Sequence, residues 1–252
     1  MKNKKTIVWI KKISHMALLA LITLLLNVAF ITTGKAQAMY IVLIFGDKIA
    51  TDNFHLTIDG GLNITGMPGL DHSDRLLGLY YGMGTFIKMN DKWAFMPEFK
   101  PLSQRGARNV QPLTMYPSIA DPKYKFRLNY IDFPFLFQHK ISSRIYVSAG
   151  PQISLLVGGK QITEGTSVET GTNVKISEDI MDSFNKLYYS IPLEFGYILP
   201  NIIPGKNIEF KARYVIGLNE AIADKSYGSS KYSMIQVMLS LPFVKKVTVT
   251  KD

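Results

Sequence analysis

Two carboxylates stand beside prolines in segments that read as strands: Asp132, in Asp132-Phe133-Pro134, and Glu194, in Pro192-Leu193-Glu194. A carboxylate in a low-dielectric interior has a perturbed proton affinity, and general acids and bases are drawn from such groups. The partners that acid–base or metal chemistry would need are scarce. The four histidines, His15, His55, His72 and His139, are isolated from one another, and there is no cysteine. No G-x-S-x-G elbow, phosphate loop or calcium loop occurs. Gly82-Met83-Gly84 is a lone glycine pair that suits packing better than a phosphate. Only His72, with Asp71 and Asp74, could build an acid–histidine site at a rim. Lys211 and Arg213 give Asp132 and Glu194 available counter-ions, and a buried carboxylate is retained when it is paired. The residues therefore predict no catalytic group, no cofactor-binding group and no metal ligand. They predict a structural polar network of Asp59, Glu98, Lys100, Asp132, Glu194, Glu209, Lys211 and Arg213.

The elements that must position this network follow from a period of two. In the stretch Arg144–Gly158 the odd positions are Ile145, Val147, Ala149, Pro151, Ile153, Leu155 and Val157, and the even ones are mostly small or polar. That spacing marks a strand with one greasy face. The same alternation recurs in seven further segments. They run from Phe54/Ile58/Leu62, Leu77/Leu79/Tyr81 and Trp93/Phe95/Phe99 through Ile131/Phe133/Phe137 to Leu187/Leu193/Leu199, Ile208/Ala212/Leu218 and Ile235/Leu239/Phe243. No amphipathic helix competes, although the run SEDIMDSFNKL suits a helical turn inside a loop. Short connections at Asn90–Lys92, Lys140–Ser143 and Pro200–Asn207 alternate with longer ones at Gly66–Asp74, Pro101–Lys125, Gly159–Lys186 and Asn219–Ser230. The expected fold is all-β: an eight-stranded antiparallel transmembrane β-barrel with both termini at its short-turn end.

Parity alone does not say which face meets lipid. A soluble lipocalin-like barrel binding an apolar ligand has the same alternation with its greasy face inside. Its outer face would carry many Lys and Glu, whereas here the polar face is mostly Gly, Ser, Asn, Gln and Tyr with nearly balanced charges. The apolar face carries almost none, as lipid demands, since Arg or Lys at the midplane costs about 2–4 kcal/mol. Trp93, Phe99, Phe137, Tyr197 and Phe243 are the expected interfacial girdle. On this basis Val147→Arg should block assembly and Ser154→Asn should be mild.

Composition sets the compartment. Lys2, Lys4, Lys5, Lys11 and Lys12 precede the apolar run Ala17–Ile31 and the small-residue triplet Ala36-Gln37-Ala38, which reads as a secretory signal peptide over residues 1–38. Residues 39–252 then form the barrel domain. The chain has 29 basic and 19 acidic residues; six lysines lie in the leader, so the remainder holds 23 against 19, a net of +4. The high isoelectric point therefore gives no reason to expect nucleic acid. The expected partners are outer-membrane lipid and an envelope or secretion protein engaged through loops 101–125 and 159–186. Counted on to Arg127 the first is basic, with Arg105, Arg108, Lys123, Lys125 and Arg127 against Asp121, and could also engage lipid phosphates. The second is acidic, with Glu164, Glu169, Glu178, Asp179 and Asp182.

One further signal is a likeness. LNYIDFPFLFQHK followed by RIYVSAGPQISLLVGG resembles the paired fourth and fifth strands of PorT-family outer-membrane β-barrel proteins. GGLNITG near the start and KARYVIGLNEAI near the end fit the same pattern. The resemblance runs from about Asn53 to Phe243 and marks a structural family rather than an activity. It implies a cell outer membrane location. It also implies, as an alternative to a purely structural or loop-binding role, an accessory part in protein secretion across that membrane.

Overall fold

The computed structural model describes residues 49–51, 53–70, 73–203, 206–224, 226 and 228–243. The expected leader and the apolar run Tyr40–Phe45 lie outside the described residues. Ten strands run in chain order: β1 (Phe54–Gly66), β2 (Asp74–Lys88), β3 (Trp93–Arg108), β4 (Ile119–Lys140), β5 (Ile145–Ala149), β6 (Gln152–Ser167), β7 (Asn173–Asp179), β8 (Leu187–Ile203), β9 (Lys206–Gly217) and β10 (Ser233–Phe243). They make eight staves. β5 and β6 are one stave interrupted at Gly150-Pro151, where proline removes a ladder donor; the Phe135 N–H donates to the Pro151 carbonyl at 2.9 Å instead. β7 pairs with the upper part of β6, and β8 with its lower part, so these two also share a stave. A 3₁₀ turn at Met181–Ser183 separates them. Every neighbouring pair is antiparallel, and β1 closes the ring on β10 from Leu56↔Phe243 to Gly66↔Ser233. Closure leaves no open edge within the ring, which hydrocarbon would not tolerate.

The outward face is greasy. Leu77, Leu79, Phe137, Ile153, Leu155, Leu187, Leu193, Ile235 and Leu239 all stand exposed, Leu77 at 59% and Leu239 at 54%. Asp59, Glu98, Lys100, Asp132, Glu194, Lys211 and Arg213 point inward and are buried. This is the reverse of a lipocalin-like barrel, so the soluble, apolar-ligand alternative is excluded. On β4 the outward apolar run Ile131–Phe137 is bounded by Asn129 and His139. Ten residues at about 3.3 Å each, tilted by about 40°, span roughly 25 Å, the height of a lipid-facing band.

Depth corrects the expected girdle. Trp93 rests on His139, ring centroids 4.5 Å apart, at the short-turn end of the band. Phe99 packs on Phe133 at 5.5 Å, in mid-band. Phe243 is 2% exposed and faces no interface. The two supposed loops are also mostly strand. Residues 101–104 still lie within the band, 105–108 and 119–125 prolong β3 and β4 beyond it, and 159–167 and 173–179 form the β6–β7 hairpin. The true turns are 109–118 and 168–172. Strand propensity persists there because Tyr124 and Phe126 still have an apolar cover to pack beneath.

Candidate functional site: the barrel interior

The interior is layered, and the order along β3 and β9 sets the layers. From the short-turn end β3 presents Glu98, Lys100, Ser103, Arg105 and Ala107, and β9 presents Glu209, Lys211, Arg213 and Val215; apart from Glu209 all of these are buried. The eight residues expected from the sequence all lie in this interior. Asp59 on β1 takes Lys100 from β3 and Lys211 from β9, the latter at 3.2 Å. Lys100 also lies 3.5 Å from Glu98, and Lys211 3.8 Å from Glu209. Arg213 is the hub. Its Nη2 donates to both oxygens of Glu98 at 3.0 and 2.9 Å, its Nε to Glu194 at 2.9 Å, and its Nη1 to the Tyr80 hydroxyl at 3.1 Å. One guanidinium thus ties β9 to β2, β3 and β8. Its planar fork is suited to two carboxylates at once, as a lysine's point charge is not.

Asp132 does not join this hub. It pairs with Arg105, one layer nearer the long loops. Arg105 also donates to Ser154 Oγ at 3.0 Å and lies over the ring of Tyr130 at 4.4 Å, with Tyr188 and Tyr232 each at 5.7 Å. The three rings meet edge to face at 5.0–6.4 Å, an arrangement that favours the ring quadrupoles and the cation between them. Period-two reading puts Arg105 in a loop. A register shift between Lys100 and Ser103 flips the parity of β3, so the inward positions pass from even to odd. Pro101, which cannot donate to a ladder, lies inside that shift and was the available signal.

Glycines make room for the large inward rings at two places. Gly196 lies directly opposite Tyr146 on β5, and a Cβ there would come 2.0 Å from the ring. A Cβ on Gly217 would come 1.8 Å from the Tyr188 hydroxyl. Released by Gly196, Tyr146 reaches Glu209 with its hydroxyl at 2.7 Å. That covers a carboxylate on which Lys211 alone makes a distant pair.

Above the tyrosines the interior turns apolar. Phe126, Leu128, Leu156 and Val215 from the strands pack with Met67, Leu70, Val110, Ile180, Phe184, Ala221 and Ile222 from the connections. The loop backbones are tied together beneath this cover. Asn185 N–H donates to Ala221 O at 2.8 Å, Ala223 N–H to Ser183 O at 2.9 Å, and the Ser230 hydroxyl accepts from Ala221 and Ile222. In the 109–118 turn Tyr116 donates to Glu178 at 3.0 Å. That hydrogen bond to a carboxylate raises the phenol above its ordinary pKa. Of the rim candidates, Asp71 and His72 lie outside the described residues, while Asp74 is exposed and accepts from Asn109 at 2.6 Å. His55 stacks on Phe86 at 4.5 Å, and His139 on Trp93. Among the described residues no three metal-ligating side chains cluster.

The geometry revises one expectation. Ser154 is fully buried and accepts hydrogen bonds from Arg105 and, at 3.1 Å, from Gln152. Ser154→Asn would overfill that site, so a loss of about 1–3 kcal/mol is expected, read as a lower urea midpoint for the barrel in detergent micelles.

Solved structures share part of this course. Ail, the attachment invasion locus protein of Yersinia pestis, matches at 13% identity and a TM-score of 0.37, over 77% of this chain and 100% of its own. Neisserial surface protein A matches at 9% identity and 0.38, over 77% and 97%. CarO2 of Acinetobacter baumannii matches at 13% identity and 0.34, over 73% and 98%. Scores this low leave the fold resting on the strand register itself. No curated protein matches. The family model for the outer membrane protein beta-barrel domain, in contrast, matches residues 50–223, which takes in every stave of the ring but the last, β10, and so all the ion-paired ones. A greasy exterior, a closed antiparallel ring and that match agree: the chain belongs to the outer membrane β-barrel domain family and resides in the outer membrane.

Proposed function

We propose that this chain is a non-enzymatic envelope protein whose lumen is closed and whose binding surface is its long-loop end, turned outward. The observation that carries this reading is the filling of the interior. The charges of Asp59, Glu98, Asp132 and Glu194 are met by Lys100, Arg105, Lys211 and Arg213, and the loops cover the far end with packed apolar side chains. Eight staves leave an interior just wide enough for side chains. A buried carboxylate already paired with a cation, as Asp132 is with Arg105 and Glu194 with Arg213, is a poor general base, and the eight network residues act here as structure. The signal peptide over residues 1–38 delivers the chain to the envelope. In planar bilayers the purified barrel is expected to give no steady conductance, and steady large openings would overturn the closed-lumen reading.

A second reading has its own support. The PorT-like segments are the ones that place Asp132 under Arg105 and break the fifth stave at Pro151. This chain would then serve as an accessory component of protein secretion across the outer membrane, engaging its partner through the prolonged β3–β4 and β6–β7 hairpins. Deletion of the protein followed by assay of secreted cargo separates the two: unchanged secretion removes the second reading and leaves the first.

A further inference from the structure

On its outer wall, the long-loop rim carries a charge pattern that the fold does not account for. Arg108 stands directly opposite Lys125 across the β3–β4 ladder, and Arg127 directly opposite Lys160 across β4–β6. Like charges in facing positions destabilise a sheet. Two such pairs on neighbouring rungs of three adjacent strands need anions. The acids nearby are partly committed. Glu164 is shared by Lys125 at 2.9 Å and Lys175 at 3.1 Å. Asp179, opposite Lys160, accepts from the Met181 N–H at 2.9 Å. Asp74, opposite Arg108, accepts from Asn109. Arg108 donates to the Arg75 carbonyl at 3.0 Å, leaving a further cation, Arg75, exposed at its side. Among the described residues no carboxylate pairs with Arg127 or Lys160, and both are exposed.

Depth says what anion this is. Arg127 is the next outward position after Asn129, which bounds the apolar band. Two residues of tilted strand carry it about 5 Å past the hydrocarbon edge. That is the headgroup layer, which adds roughly 5–8 Å to each side of the hydrocarbon core. Gly106, the partner of Arg127 on β3, offers no side chain to screen the guanidinium from that layer.

We propose that Arg127 and Lys160, flanked by Arg108 and Lys125, bind the phosphate of an outer-leaflet lipid headgroup. The guanidinium fork grips two phosphate oxygens and the ammonium supplies a point charge. The phosphate also relieves the facing like charges, so lipid binding and rim stability are coupled. The assignment to the outer leaflet rests on the outward orientation proposed above; the binding itself does not.

The test uses the full mature barrel in phosphatidylcholine nanodiscs containing bisphosphorylated lipid A, with lipid retained after mild detergent extraction read by native mass spectrometry. Lipid stands in both leaflets of a disc, so the result is independent of orientation, which protease access in whole cells tests separately. The unchanged protein is expected to retain lipid A. R127Q/K160Q is expected to lose retention on the order of tenfold, as for loss of charge-assisted contacts, while keeping its heat-modifiable gel mobility. K140Q/R144Q, removing the same charge from the opposite rim, is expected to behave as the unchanged protein. Equal retention by R127Q/K160Q, equal retention of dephosphorylated lipid A, or an equal loss in K140Q/R144Q would each overturn the site. Displacement by inorganic phosphate at millimolar concentration would show a free-anion site and overturn the lipid assignment.

Discussion

Arg213→Ala is expected to lower the stability of the folded barrel by about 3–5 kcal/mol, the range found when one member of a buried ion pair is removed. The loss is large because two carboxylates depend on the same guanidinium. Glu98 keeps Lys100 at 3.5 Å. Glu194 makes no second ion pair among the described residues. Both acids would remain inside a wall that admits no compensating side chain, and Tyr80 would lose the donor to its hydroxyl. The measurement is the urea midpoint of the refolded protein in detergent micelles, together with the temperature at which its compact gel band is lost. Arg213→Lys should fall between, because an ammonium cannot span Glu98 and Glu194 with one fork. The decisive arm is the triple variant Glu98→Gln/Glu194→Gln/Arg213→Met, which removes the uncompensated charge along with the cation. Most of the lost stability should return. If Arg213→Ala unfolds at the same urea concentration as the unchanged protein, the hub is an ornament and the layered interior does not hold the ring closed.

How far the sequence alone carried this picture depends on what each residue needed to be read. The ring itself was legible because lipid imposes one rule on every stave. An outward position is greasy and an inward one small or polar, so Phe133 and Asp132 declare their faces without any knowledge of their neighbours. The inward side of eight charged residues was legible for the same reason, but not that of Arg105. Their pairing was not. Asp132 and Glu194 look equivalent, each beside a strand proline, yet Asp132 faces Arg105 and Glu194 faces Arg213. Which cation an inward acid meets is set by stagger around the ring, and stagger is fixed by the register shifts at Lys100/Ser103 and Asn129/Tyr130. A shift of one residue reverses parity for the remainder of a strand. This is how Arg105 passed from supposed loop to buried cation, and how Lys160 came to face outward beside Arg127. The apolar cover of Ile180, Phe184 and Ile222 was hidden for another reason. Those residues belong to connections, and only the folded ring shows that they have an open end to close.

The same depth reasoning changes which substitution tests the lipid-facing wall. Val147 faces outward, but its partner in register on β4 is His139, at the edge of the band. Ile153 pairs with Phe133, in the centre. Six residues of β4 separate these partners, which is about 15 Å along the barrel axis and more than half of a ~25 Å band. An arginine at 147 can therefore extend its head past Trp93 into the interfacial layer, at a cost of about 0–1 kcal/mol. An arginine at 153 has no such exit and should cost about 2–4 kcal/mol. Ile153→Arg is thus expected to prevent most of the chain from reaching the compact, heat-modifiable form in lipid vesicles, and Val147→Arg to fold nearly as the unchanged protein does. The contrast depends on hydrocarbon around Ile153 and an interface around Val147. Equal folding of both variants would mean that the wall beside Phe133 is wet. Failure of Val147→Arg alone would place the centre of the bilayer at the level of Trp93, and the lipid-phosphate site at Arg127 would then stand far outside the membrane.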